Sequence, residues 1–104
     1  MTRYAARVDE NHSDIVAEFR KYPFIKVNDC SAYGGGFPDL LVLIFDAIHL
    51  VEVKDGNKPP SRRTLTPSQE TFHAIFPVTI VESIEDVTRF VQQQIDKRKE
   101  QLES

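Results

Sequence analysis

The sequence predicts an α/β (α+β) fold of order αβββαβα, in which a central mixed sheet is flanked by helices. Three observations carry this expectation. Apolar residues recur at helical spacing in three segments, short apolar runs lie between them, and proline or glycine punctuates the junctions. The 104 residues suffice for one hydrophobic core and not for two, so a single domain over 1–104 is expected.

The first helix lies within residues 9–21, where Ile15, Val16 and Phe19 form an apolar stripe. Tyr22-Pro23 ends it, because proline cannot continue a helix and restricts the residue before it. Residues 24–28 alternate apolar and polar, as a strand does. The loop 29–36 contains three consecutive glycines and is expected to be a structural, mobile turn, although glycine also permits close approach of another backbone. Residues 40–45 and 48–53, separated by Asp46-Ala47, read as a hairpin; the second run is rich in β-branched residues, and both are too short for helices. Residues 55–66 are polar, contain Pro59 and Pro60, and form a loop. A second helix starts at Thr66-Pro67, with threonine as N-cap and proline at the first helical position, and carries Phe72, Ile75 and Phe76. Residues 78–81 form another strand. Ser83 begins the last helix, with Ile84, Val87, Val91 and Ile95 on one face.

Strand alternation puts Glu52 and Lys54 on one face, together with Ile48 and Leu50, so that face turns from apolar to charged at the strand's end. If Asp46-Ala47 forms the turn, Phe45 pairs with Ile48, Leu41 falls opposite Glu52, and Asp39 falls opposite Lys54. Directly opposed side chains share a face with Cβ atoms roughly 4.5–5.5 Å apart. A one-residue slip would send Asp39 to the other face.

The pattern then acquires a chemical reading. Two carboxylates this close repel unless a cation lies between them, and Mg²⁺ or Mn²⁺ prefers such oxygen ligands. Asp39 and Glu52 are the expected ligands, with the Val53 carbonyl as a further donor. Lys54 is a point charge able to orient water or balance negative charge developing on a phosphate. The bland alternative is a solvated ion pair at a strand end.

The formal net charge of −3 is unusual for a protein that handles nucleic acid, but Lys54, Lys58, Arg62 and Arg63 crowd into ten residues, and a bound cation would neutralise part of the acid. Lys58, Arg62 and Arg63 are therefore candidate phosphate contacts, with a solvated loop as the alternative. A single cysteine, Cys30, excludes an internal disulfide and a cysteine-based zinc site. No membrane span or leader pattern is present, and a reducing cytoplasm is the expected setting. His49 and His73 read as packed histidines, Cys30 as a small buried side chain, and Lys97-Arg98-Lys99 as an exposed helix end.

Three stretches together carry a resemblance: Gly34-Gly35-Gly36-Phe37-Pro38-Asp39, Glu52-Val53-Lys54, and Leu65-Thr66-Pro67-Ser68-Gln69. They closely resemble the VRR-NUC (virus-type replication-repair nuclease) family of the PD-(D/E)xK nuclease superfamily. The run from Lys54 through Lys58 to Arg63 resembles short, single-domain phage members, and the stretch from Arg7-Val8-Asp9 to Val16 resembles their first helix. The resemblance spans residues 7–87. It implies a restriction-endonuclease-like fold and a Mg²⁺- or Mn²⁺-dependent nuclease in which Asp39 and Glu52 bind metal and Lys54 assists the attacking water. Gln69 matches a glutamine at the edge of the site. A further acid is expected from the first helix, with Asp9 preferred to Asp14, and His12 departs from the glutamine many relatives have there. By analogy, a homodimer acting on branched or flapped DNA is expected, without nucleotide cofactor or membrane, in the host cytoplasm if phage-encoded. The rivals are a nuclease acting on RNA and a catalytically silent DNA-binding or assembly protein of the same fold.

Overall fold

In the computed structural model, which describes residues 9–104, the elements run α1 (His12–Arg20), β1 (Ile25–Asp29), β2 (Leu40–Ile44), β3 (Ala47–Val53), α2 (Pro67–Ile75), β4 (Thr79–Val81) and α3 (Ile84–Glu103). A short 3-10 turn at Pro60–Arg62 interrupts the loop before α2. Arg7 and Val8, at the start of the matched stretch, lie outside the described residues.

The four strands form one mixed sheet of order β1-β2-β3-β4. β1–β2 and β2–β3 are antiparallel, whereas β3–β4 is parallel. A parallel pair needs a long crossover, and the stretch containing the loop and α2 supplies it. Helices α1 and α3 cover one face. There Ile15 and Phe19 of α1, Val42 of β2, Val51 and Val53 of β3, and Val87 and Val91 of α3 are buried in a common core. Phe19 meets Phe90 edge-on at 6.3 Å, joining the two helices. The opposite face is only partly covered: α2 reaches it at the end bearing Glu52, while Leu43, Ile48 and Ile80 remain exposed. Among the described residues no helix is long and apolar enough to cross a membrane.

The element order is the expected one, but several details differ. The hairpin turns at Phe45-Asp46 rather than Asp46-Ala47, pairing Ile44 with Ala47 and Leu40 with Val51. Phe45 takes a left-handed backbone conformation, φ 55°, that a phenylalanine adopts only when its surroundings impose it. Here its ring stacks on Phe24 at 4.8 Å, Arg98 lies over the ring at 5.3 Å, and the same arginine pairs with Asp46 at 3.5 Å. Arg98 thus ties α3 to the hairpin, and the Lys97-Arg98-Lys99 segment is not a helix end, since α3 continues to Glu103.

Helix α1 starts at His12, inside the expected range, and the Asn11 side chain makes no cap but reaches across to the strand ends. In α3 the buried face is Val87, Phe90 and Val91, and Ile84 is exposed. Helix α2 buries none of its residues. Its position is set by polar contacts at its N-terminus and by the Phe72 ring against Phe37 at 5.5 Å.

Candidate metal centre

The observed register shifts the hairpin pairing by two positions, which preserves side-chain parity. Extended one step beyond Leu40↔Val51, it sets Asp39 opposite Glu52, not opposite Lys54. The expected pairing is corrected, and the shared face survives. At Asp39 the chain bends out of the ladder, and its carboxylate accepts the Val53 N–H at 2.9 Å, closing the end of the sheet with a side chain. The Val53 side chain is in the core, so its carbonyl is what that residue has left to offer a ligand.

Glu52 is only 2% exposed. Its Oε2 accepts from Gln69 Nε2 at 2.8 Å and lies 3.8 Å from the Lys54 ammonium. Oε1 is buried without a hydrogen-bond partner among the described residues. Burial, foremost, and the adjacent Asp39 carboxylate push the Glu52 pKa up to about 8, against the opposing pull of Lys54, and the charge of Asp9 raises it further. Ionising Glu52 beside Asp39 is therefore costly, and a cation between them would relieve that cost.

Gln69 organises the other side. Thr66 caps α2 by accepting from the Gln69 N–H at 3.2 Å, while Gln69 Oε1 accepts from the Thr66 N–H at 2.9 Å, completing a reciprocal capping box. That same oxygen accepts from the Lys54 ammonium at 3.0 Å. The local sequence Thr66-Pro67-Ser68-Gln69 thus fixes a helix start and presents one amide to both Glu52 and Lys54. Gly36 lets α2 come this close: a Cβ there would stand 2.5 Å from the Ser68 carbonyl oxygen, and its φ is +87°.

The first-helix acids separate. Asp9 is near enough for its charge to raise the Glu52 pKa, and its carboxylate pairs with Lys58 at 3.5 Å. Asp14 is exposed and lines a cavity of about 530 Å³ with Asn11, Asn57, Glu82, Ser83 and Asp86. Neither Asp39 nor Glu52 lines this cavity, and its acidic walls suit no phosphate. Among the described residues no preassembled group of three or more His, Cys, Asp or Glu stands at metal-holding spacing. Asp39 and Glu52 are the joined pair, and Asp9 is engaged by a lysine.

The basic loop is more committed than its composition suggests. Arg63 donates to the Lys58 carbonyl at 2.8 Å and to Glu82 at 3.1 Å, so it is a staple across the loop. Arg62 is exposed and makes no ion pair among the described residues. His12, buried, bonds Asp29 at 3.0 Å. Burial opposes ionisation of Asp29, but the Ser31 hydroxyl and amide and then His12 outweigh it and hold its pKa down at about 2. His49 packs edge-on against Phe90 at 5.2 Å, and Cys30 is buried.

Two neighbours of the centre carry no sequence signal of their own. Asn11 Nδ2 donates to the carbonyls of Lys54 and Glu82, each at 3.2 Å, locking α1 to the ends of β3 and β4. His73, one turn beyond Gln69, has its pKa lowered by burial and then by the charge of Lys54. An asparagine before a helix ordinarily reads as a cap, and a helical histidine as surface, so only the assembled fold relates them to Lys54.

Comparison with protein-family models, with curated proteins and with solved structures gave no match.

Proposed function

We propose that this protein is a metal-dependent nuclease of restriction-endonuclease-like fold, hydrolysing DNA phosphodiester bonds at Asp39, Glu52 and Lys54. The observation that carries the reading is the pairing of half-buried Asp39 with buried Glu52, whose Oε1 has no partner among the described residues and whose charge the Asp39 carboxylate repels. An all-oxygen donor set with an unpaired buried oxygen fits Mg²⁺ or Mn²⁺. The αβββαβα order, the mixed sheet and the motif resemblance all support the same reading.

Asp39 and Glu52 would hold the cation, with Asp9 and the Val53 carbonyl as further donors. When bound, the ion supplies Lewis acidity and a lowered pKa for coordinated water. The chain's own residues do the rest. Lys54, held by Gln69, keeps its ammonium beside Glu52, where it counters charge developing on a phosphate and orients the attacking water. Gln69 holds acid and base side chains in one register, and Asn11 anchors the Lys54 main chain from behind. Arg62, at the rim, is the loop cation left to meet a phosphate backbone.

Cleavage of single-stranded, duplex, flap and four-way-junction DNA, and of RNA, with Mg²⁺, Mn²⁺ or chelator tests the proposal. Cutting with either ion and none in chelator is expected, selective for branched DNA and abolished by Asp39→Asn. Activity undiminished by chelator would sink the reading, and cutting of RNA alone would move the substrate class. Homodimerisation, which the resemblance also implies, has an apolar surface in Leu43, Ile48 and Ile80; sedimentation of the wild type against Ile48→Glu checks it.

A further inference from the structure

We infer that Lys58 is a built-in counterion that occupies Asp9 and competes with a divalent cation for it. The inference deepens the proposed metal-dependent reading, on which it rests. Three observations converge on it.

Asp9 lies near the end of β3: its carbonyl accepts the His12 N–H at 3.0 Å at the start of α1, and Asn11, two residues on, donates to the Lys54 carbonyl at 3.2 Å. The Asp9 carboxylate is only 23% exposed and lies 3.5 Å from the Lys58 ammonium, itself 34% exposed. The pair is therefore partly shielded, and its attraction exceeds that of a fully solvated one.

Lys58 is also held in place from both sides of its peptide group. Its N–H donates to the Asp55 carbonyl at 3.0 Å, and its carbonyl accepts from Arg63 Nε at 2.8 Å. Arg63 is in turn fixed by Glu82 at 3.1 Å, at the end of β4. Asp55, buried, caps the turn by accepting the Asn57 N–H at 2.9 Å. The loop thus delivers one ammonium to one carboxylate through main-chain bonds that do not depend on that ion pair.

The third acid of the neighbourhood is accordingly neutralised within the chain, while Asp39 and Glu52 are left facing each other. A cation that recruits Asp9 must displace Lys58, so the contact lowers the cation affinity of the centre. It also returns a free ammonium to the rim when the centre fills.

Calorimetric titration of Mn²⁺ into the full chain at pH 7.5 tests this without any measurement of cleavage. Lys58→Gln should bind Mn²⁺ roughly two- to fivefold more tightly than wild type, the range a partly exposed ion pair commands. Arg62→Gln removes the same charge from the same loop without touching an acid, and should leave the affinity unchanged. In an Asp9→Asn background, adding Lys58→Gln should have no effect, because the contested carboxylate is gone. Equal affinity in wild type and Lys58→Gln overturns the inference, as does equal tightening by Arg62→Gln or tightening that persists with Asp9→Asn. Asp39→Asn separates the two failures. If it abolishes binding while Lys58→Gln changes nothing, the counterion role falls and the metal centre stands. If Asp39→Asn binds Mn²⁺ as wild type does, both fall.

Discussion

The chemistry of the centre is concentrated in Glu52, and its ionisation makes a prediction. Burial and the neighbouring Asp39 raise the Glu52 pKa from 4.5 to about 8. A carboxyl whose folded pKa is raised favours the folded state while protonated. That contribution is fully present below about 4.5, erodes as pH rises, and is lost above about 8. Metal-free wild type should therefore melt at a lower temperature at pH 9 than at pH 6, with a loss on the order of a few kcal/mol. Glu52→Gln cannot ionise and should lose much less over the same interval. Parallel melting curves for the two proteins in chelator would show that Glu52 is not the group responsible. Lys54 belongs to the same scale. Lys54→Ala should remove catalysis while sparing cation binding, because an ammonium is no ligand; calorimetry and the cleavage assay read the two separately.

At the scale of the element, α2 is held over the centre by its first turn and by the Phe72 ring against Phe37, with none of its residues fully buried. Gly36 and Gly35 separate the two parts of that dependence. Both have positive φ, but a Cβ at Gly36 would strike the Ser68 backbone whereas one at Gly35 meets nothing within 4 Å. Gly35→Ala should cost about 1 kcal/mol, the left-handed penalty alone. Gly36→Ala should cost more and displace Gln69, lowering activity beyond what the loss of stability explains. Chemical denaturation with kcat measurement checks both, and equal effects of the two substitutions would contradict the close approach. Thr66→Ala, which removes the cap, should cost about 1 kcal/mol and loosen Gln69 in the same way.

For the whole molecule, the two faces of the sheet divide the work. Helices α1 and α3 supply the core on one side, and the polar centre lies on the other, at the end where β3 and β4 run parallel. A ligand that binds only the folded protein stabilises it by mass action. At pH 8, Mn²⁺ at about 100 times its Kd should thus add roughly 2.7 kcal/mol to wild type and nothing to Asp39→Asn. Thermal denaturation across a Mn²⁺ series measures this. A shift that survives Asp39→Asn would place the cation elsewhere, with the acidic cavity beside Asp14 as the first place to look.

What the sequence determined by itself was the order of elements and the parity of the sheet. Alternation decides which face Asp39, Glu52 and Lys54 share, and it tolerates any even shift in register, so the cluster was legible although the turn was placed one residue late. The Thr66-Pro67 helix start was legible too, because a cap depends on residues adjacent in the chain. Tertiary structure alone decided the rest. Phe45 takes a left-handed turn position because Phe24 and Arg98, distant in sequence, hold its ring. Asn11 leaves its own helix uncapped to bond the ends of two strands, and Asp9 meets Lys58 while Asp14 stands exposed beside the acidic cavity. Lys58 and Arg63 are indistinguishable as charges in a polar loop, yet one meets an acid of the centre and the other staples the loop to Glu82. Local pattern encodes what neighbouring residues dictate; which long side chain meets which distant carboxylate depends on the folded path between them.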